Sequence, residues 1–597
     1  MSKTNSKYEW DLTAIYADED AFYVDFTRAE EMIAAFPAHE STMLNSAGEF
    51  YAALRARADL EEVIEKLWSY TFLRFAKNTA DNASQSLNAK VRSLAVKADA
   101  ATWFVSTYML RLENDVLDAW FTECPELESF RRVITKNMKN KPHTLSDECE
   151  SLMSNLGDIF GTHSNVRSIF ANADMKFGKI KDESGKTVEL TDASYVTYLM
   201  SSDRRVRRAA FNTVYKTYAQ FANTFATMYD AAVRESCTLA RVRGFADALT
   251  ASTFQDEVTP EIYNNLIESV NRGLPALYDY YELKREVLGL DKLHLYDIYA
   301  PLIGSLDRTY PYDEAVNEVL EAVKIYGSEY YETLKAGLTE RGWVDVYPAK
   351  GKRGGAFSAG CSATEPYILL NYTETFNDVS TLAHEAGHSM HSYFSTHSNE
   401  PHNSQYTIFV AEVASTVNEL LLAHKKLAQC ESDEEKLYIL NQLMETYKGT
   451  LFRQTMFAEF EKDMHEKCES GEPLTSDAIT SHYYDLVCRY FGDGVVCDKQ
   501  IAHEWSRIPH FYRNFYVYKY ATCISAASAI VKRIESEGES YVGKYIDFLK
   551  CGGAKSPLDS LLVAGIDMRD PEVIAGAIED FASAVKQFRE IYKASRA

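Results

Sequence analysis

The amino-acid sequence predicts a mainly α-helical protein, and three observations carry that expectation. Apolar residues recur at three- and four-residue steps from about Glu19 to Asn172, from Asp192 through Arg243, and again after Thr259-Pro260, which is the period of amphipathic helix. Strand-like patterns are few and short. The chain has 597 residues, 46% of them hydrophobic, enough to bury a large core as several domains or as one helical body with lobes.

Taken in order, the first helical region includes Phe50 to Ala58, Leu60 to Phe75 and Ala89 to Leu112, with breaks at Pro37, Pro125 and Lys141-Pro142. It carries no cluster of His, Cys and carboxylates, so it reads as a packing or gating lobe. From Met175 to Leu190 the texture changes. Lys176 to Ile180 and Thr187 to Leu190 flank Asp182-Glu183-Ser184-Gly185, the pattern of a β-hairpin with a glycine turn. Arg204, Arg205, Arg207 and Arg208 follow; a solvated helix face or ion pairs account for them better than an anion site. Leu293 to Leu302 reads as a short extended run before a helical stretch from Asp313 to Gly337.

Gly354, Gly355, Ala356 and Phe357 lie in a glycine-rich segment ahead of a predicted strand, Tyr367 to Tyr372. The segment lacks a Gly-Lys-Ser/Thr ending, so it is not a phosphate cradle. It is either an ordinary turn or a bare strand beside which another backbone can lie.

His384-Glu385-Ala386-Gly387-His388 is an H-E-x-x-H pattern. Val379, Leu382, Ala383, Ala386, Met390, Tyr393 and Phe394 form an apolar stripe that makes the segment helical, with Asn377 or Asp378 as the expected N-cap. On a helix His384 and His388 lie one turn apart, the spacing two imidazoles need to share one zinc ion, and Glu385 flanks them as a base for a zinc-activated water. A second helix, Ile408 to His424, is apolar on most faces yet carries Glu412, 24 residues after His388. A buried unpaired carboxylate is costly, and a metal ion offsets that cost. Two imidazoles and one carboxylate leave a fourth position open, as in catalytic zinc sites. Glu419 shares the face of Glu412 and is either an outer hydrogen-bond acceptor or an exposed glutamate. His391, one turn too far along to ligate, either packs or hydrogen-bonds a ligand from outside.

Between Ile508 and Tyr520 the chain crowds His510, Tyr512, Tyr516, Tyr518 and Tyr520 among other aromatics. Such a run is often core, but beside a zinc-helix motif these groups read as donors to an oxyanion. The final helix is expected to be capped at Asp570 with Pro571 in its first turn.

With 63 basic and 87 acidic residues the formal charge is -24, which opposes nucleic acid or an anionic membrane as a partner. The ten cysteines contain no C-x-x-C pair, favouring reduced thiols over a disulfide framework. Met1 to Lys7 leads into Trp10-Asp11-Leu12 without an apolar signal core, and no run of 18 apolar residues exists. A cytoplasmic protein with no obligate protein partner is expected.

These motifs together resemble the oligoendopeptidase F family, relatives of thimet oligopeptidase. The resemblance rests on Trp10-Asp11-Leu12, Ala240-Arg241-Val242-Arg243-Gly244, Gly354 to Ser358, His384 to Tyr393, Phe409 to Thr416, His510 to Tyr520, Gly552-Gly553 and Gly565 to Met568. It implies a two-lobed helical ellipsoid with a deep substrate cleft and a small β-sheet beside the zinc helix, divided here as an N-terminal lobe over 1–195 and a catalytic domain over 196–597. It implies endopeptidase action on short unstructured peptides, with one Zn2+ per chain. It carries zinc ligation over to His384, His388 and Glu412, the general base to Glu385, and carbonyl and oxyanion contacts to His510 and Tyr518, with Tyr512 a further candidate. Gly354, Gly355, Ala356 and Phe357 become the backbone strip beside the substrate. Cys361 departs from the family's pattern. A zinc carboxypeptidase would need a clamp for a terminal carboxylate, which no residue supplies in an identifiable way. A non-catalytic peptide-binding scaffold would lack a ligand or the base.

Overall fold

The computed structural model describes residues 7–596 except 158, 305 and 307; the first six residues, part of the segment without an apolar leader, lie outside these. The protein is mainly helical with three small sheets. Its chain forms two compact units, each assembled from three segments: Met1–Pro142, Arg308–Lys425 and Ile530–Ile566 in the first, His143–Asp307, Lys426–Ala529 and Asp567–Ala597 in the second. The 195/196 boundary expected from sequence falls inside the helix Asp192–Leu199, within the second unit. Compactness here comes from contacts remote in sequence, which local pattern does not report.

In the first unit, helices Glu19–Ala35, Ala47–Lys77 and Asn82–Met109 pack around Phe22, Phe50, Leu67, Leu73, Val91 and Phe104. Asp18, Ser46 and Asp81 start them as N-caps, each accepting a backbone N–H three residues on. The stretches Phe50 to Ala58 and Leu60 to Phe75 form one continuous helix, in which Asp59 pairs with Arg55 one turn earlier. The same core reaches Tyr367 and Leu369 of a three-stranded sheet. There Tyr367–Leu369 is central, parallel to Val344–Asp345 and antiparallel to Phe357–Ala359. Phe357–Ala359 is therefore an edge strand. Trp10 and Phe72 pack their rings on Phe357.

In the second unit the hairpin pairs Lys179–Lys181 with Thr187–Glu189 as the sequence predicts. The extended run at 293 is only Leu293–His294, parallel to Val495–Val496. Arg204 and Arg207 form ion pairs with the fully buried Asp297, and Arg205 pairs with Asp203. Cys488 and Cys497 form a disulfide, contrary to the expectation of reduced thiols. Their Cα atoms lie 5.8 Å apart because the turn after the Ser476–Phe491 helix folds the chain back. No described helix is long and apolar enough to cross a membrane.

Candidate metal and catalytic site

The H-E-x-x-H residues lie on the helix Phe376–Ser398. Its N-cap is Thr375, not Asn377 or Asp378: Thr375 and Asp378 form a reciprocal capping box, so Asp378 serves as the third helical residue. The next helix, Ile408–Gln429, returns against it. The two backbones meet at Gly387, where a Cβ would stand 2.6 Å from the Ala414 carbonyl oxygen and 2.6 Å from the Ser415 Cα. Asn418 fastens the pair by donating to the Ala383 carbonyl at 3.2 Å.

That close approach brings Glu412 onto the histidines. Glu412 Oε2 lies 3.2 Å from His384 Nε2 and 3.4 Å from His388 Nε2, and the two Nε2 atoms are 3.1 Å apart. Bonds of about 2.0–2.2 Å to a tetrahedral zinc place neighbouring ligand atoms roughly 3.3–3.5 Å apart. The donor set therefore fits a zinc ion in both chemistry and spacing. Two imidazole lone pairs facing each other at this distance repel unless a cation or proton lies between them. Glu419 Oε2 sits 3.4 Å from His384 Nδ1, the ring nitrogen other than the Nε2 that faces Glu412 and His388. Glu419 is half-buried, its side chain 27% exposed.

Glu385 is buried, and its Oε2 has no hydrogen-bond partner. Burial raises its carboxyl above the ordinary range, against the pull of His384 and His388. His391 is also buried, stacked on Tyr406 at 3.7 Å. Burial holds it neutral, pushed down to about 3. It packs, and no described hydrogen bond links it to a ligand ring.

Ser389, one turn after Glu385, hydrogen-bonds Ser358 at 2.8 Å. The edge strand Phe357–Ala359 thus runs along the H-E-x-x-H helix. Before it, Gly354 and Gly355 are exposed, Gly355 has φ +82°, and Asn371 donates to the Arg353 and Gly355 carbonyls. Cys361 is buried beside Ser69.

The second unit carries the aromatic segment. His510 is half-buried and held neutral by burial and by Arg513 and Arg167. Its ring neighbours are Tyr516 and Tyr520, with centroids 6.4 and 6.2 Å away. Tyr518 is not beside it in this way. Tyr518 is fully buried, and its hydroxyl donates to Asp256 Oδ2 at 2.8 Å. This corrects the expectation for Tyr518: a hydroxyl committed to an internal carboxylate is not available to a substrate carbonyl. The helix Tyr518–Glu537 begins at this point, so residues 518 and 520 diverge by about 200°. Tyr512 donates to the Phe225 carbonyl at 3.5 Å and stacks on His163.

Two family models match: peptidase family M3 over residues 197–580 and oligopeptidase F over 109–177. The chain belongs to peptidase family M3. It is thus a hydrolase of the metallopeptidase class. It is 41% identical over 591 residues to oligopeptidase PepF of Bacillus subtilis (strain 168), covering 99% of this chain and 88% of that protein. Among solved structures it resembles oligoendopeptidase-F from Enterococcus faecium, with TM-score 0.76 and 33% identity over 96% of this chain and 99% of the other. A Chlamydophila abortus crystal structure matches with TM-score 0.91 and 32% identity over 99% of both chains.

In this M3 peptidase two supporting residues escaped the sequence reading. Phe515, between His510 and Tyr520, has φ +51°, a left-handed conformation that a bulky residue adopts only when held. Glu461 holds it, accepting the Phe515 N–H at 2.6 Å from a fully buried position. Burial pushes Glu461 up to about 8, against that hydrogen bond and Lys519. Asp256 anchors the other end through Tyr518 and through Lys519 at 2.7 Å. A glutamate or aspartate on a helical stretch carries no sequence signal of such a role.

Proposed function

We propose that the protein is a zinc-dependent endopeptidase that hydrolyses internal bonds of short, unstructured oligopeptides. The observation that carries this reading is the convergence of His384, His388 and Glu412 beside a buried Glu385 whose Oε2 lacks a partner. When bound, zinc would supply Lewis acidity at the scissile carbonyl and make water a nucleophile near neutral pH. Glu385 takes the proton of the attacking water and delivers it to the departing amine. Glu419 keeps His384 in the tautomer that ligates. The substrate lies extended along Phe357–Ala359, whose outer edge offers main-chain groups for strand addition. Such recognition needs an extended peptide, which a folded protein does not present.

The test is mass spectrometry of an oligopeptide blocked at both ends, incubated with wild type and with Glu385→Gln. Internal cleavage by wild type, reduced by roughly 10²–10⁴-fold in the variant, is the expected result for loss of a general base. Cleavage that requires a free C-terminus would replace this reading with a carboxypeptidase.

A further inference from the structure

We propose that a cavity inside the second unit, built on a π-helical turn, binds a small carboxylate with an aromatic or branched apolar body. The cavity has a volume of about 180 Å³, which restricts it to a ligand smaller than the drug-sized molecules that fill pockets of roughly 300–1,000 Å³. Leu277, Tyr281, Ile298, Phe452 and Met456 supply apolar wall, and Lys448 and Arg453 supply two cations, with Glu445, the partner of Lys448, as the one carboxylate in the lining.

The turn is the first argument. Lys448–Phe452 is π-helical, closed by the Arg453 N–H donating to the Lys448 carbonyl. Five residues along an α-helix leave two side chains about 140° apart. The i→i+5 closure instead carries Arg453 nearly over Lys448, so both reach one cavity. Such turns are rare and concentrate at functional sites.

Charge is the second argument. Glu445 is shared by two buried cations, Lys284 at 3.2 Å and Lys448, and also accepts from Tyr280. Glu504 is likewise shared, by Arg453 at 2.7 Å and Arg507 at 3.8 Å. Four cations, of which Lys284 and Lys448 are buried and Arg453 and Arg507 partly so, therefore share two carboxylates, in a chain whose net charge is -24. Interior charges are normally paired. Burial lowers Lys284 to about 8 even with Glu445 opposing. An anionic head beside Lys448 and Arg453 relieves this excess, and the apolar wall takes the body of the ligand. The site uses none of the residues assigned to peptide hydrolysis, so it stands or falls separately.

The test is isothermal titration calorimetry of the zinc-loaded protein with 3-phenylpropionate and its neutral isostere 3-phenylpropionamide. The acid is expected to bind at least about tenfold more tightly, since the amide lacks the charge-assisted contacts. Lys448→Met and Gly449→Leu should each weaken the acid by about tenfold or more, while His388→Ala leaves it unchanged. Gly449 has open space, with nothing within 4 Å of an added Cβ, so Gly449→Leu fills the cavity without disturbing the charges. It keeps the test valid if Lys448→Met fails to fold. No binding, equal binding of acid and amide, indifference to Gly449→Leu, or loss in His388→Ala would each overturn the proposal. N-acetylphenylalanine separates two sources of the ligand: binding assigns the site to a peptide C-terminus, and exclusion while phenylpropionate binds assigns it to a free small acid.

Discussion

Replacing Gly387 by alanine tests whether helix contact builds the metal site. The added Cβ would stand 2.6 Å from Ala414 O and from Ser415 Cα, where ordinary contact begins at 3.4 Å. Both obstacles are backbone, so the helices must part by roughly 0.8 Å rather than a side chain swinging aside. Overpacking of this kind costs about 1–3 kcal/mol, and the helix-propensity gain of Gly→Ala returns at most about 1 kcal/mol. The net effect on stability is therefore small to moderate. The effect on the metal is larger, because Glu412 rides on the helix that moves. Ligand distances tolerate only about 0.2 Å, so a 0.8 Å shift removes Glu412 from ligation. Zinc affinity measured against a chelating competitor should fall by at least about 10–100-fold, the loss seen even for outer-shell changes. Gly449→Ala, at a helical glycine with nothing within 4 Å, is the control and should leave zinc binding unchanged. Wild-type zinc affinity in Gly387→Ala would refute the argument that close backbone approach positions Glu412.

Three further outcomes are expected. Glu419→Ala should weaken zinc by about 10–100-fold in the same competition assay, since His384 Nδ1 loses its acceptor. Tyr518→Phe, which strips Asp256 of a buried donor, should lower the melting temperature; an unchanged melting temperature would refute that hydrogen bond as a stabilising contact. Glu461 is raised from 4.5 to about 8 by burial, so the folded state binds its proton more tightly than the unfolded chain. The stability this provides is full below pH 4.5 and is lost as pH rises towards 8. Glu461→Gln, which still accepts from Phe515, should therefore unfold at higher denaturant than wild type at pH 8–9 and match it near pH 4–5; equal midpoints at both would disprove the assignment.

The grouping of His384, His388 and Glu412 was largely legible in the sequence. The H-E-x-x-H spacing sets two imidazoles one turn apart by helix geometry alone, and a carboxylate within an apolar helix announces an unusual partner. The mainly helical fold and the 179–189 hairpin follow from local periodicity in the same way. Only the tertiary structure decided the rest. Thr375 prevailed over Asn377 and Asp378 as the cap because the capping box uses two residues at once. Glu419 became a partner of His384 only when two helices met at Gly387. Tyr518 and Tyr520 are chemically identical in sequence, and the point at which their helix begins decides which one is buried against Asp256. Glu461, Asp256 and the Cys488–Cys497 pair act across distances in the chain that no local pattern spans. Spacing along one helix is fixed by covalent geometry, whereas the company a side chain keeps is fixed by which surfaces pack together.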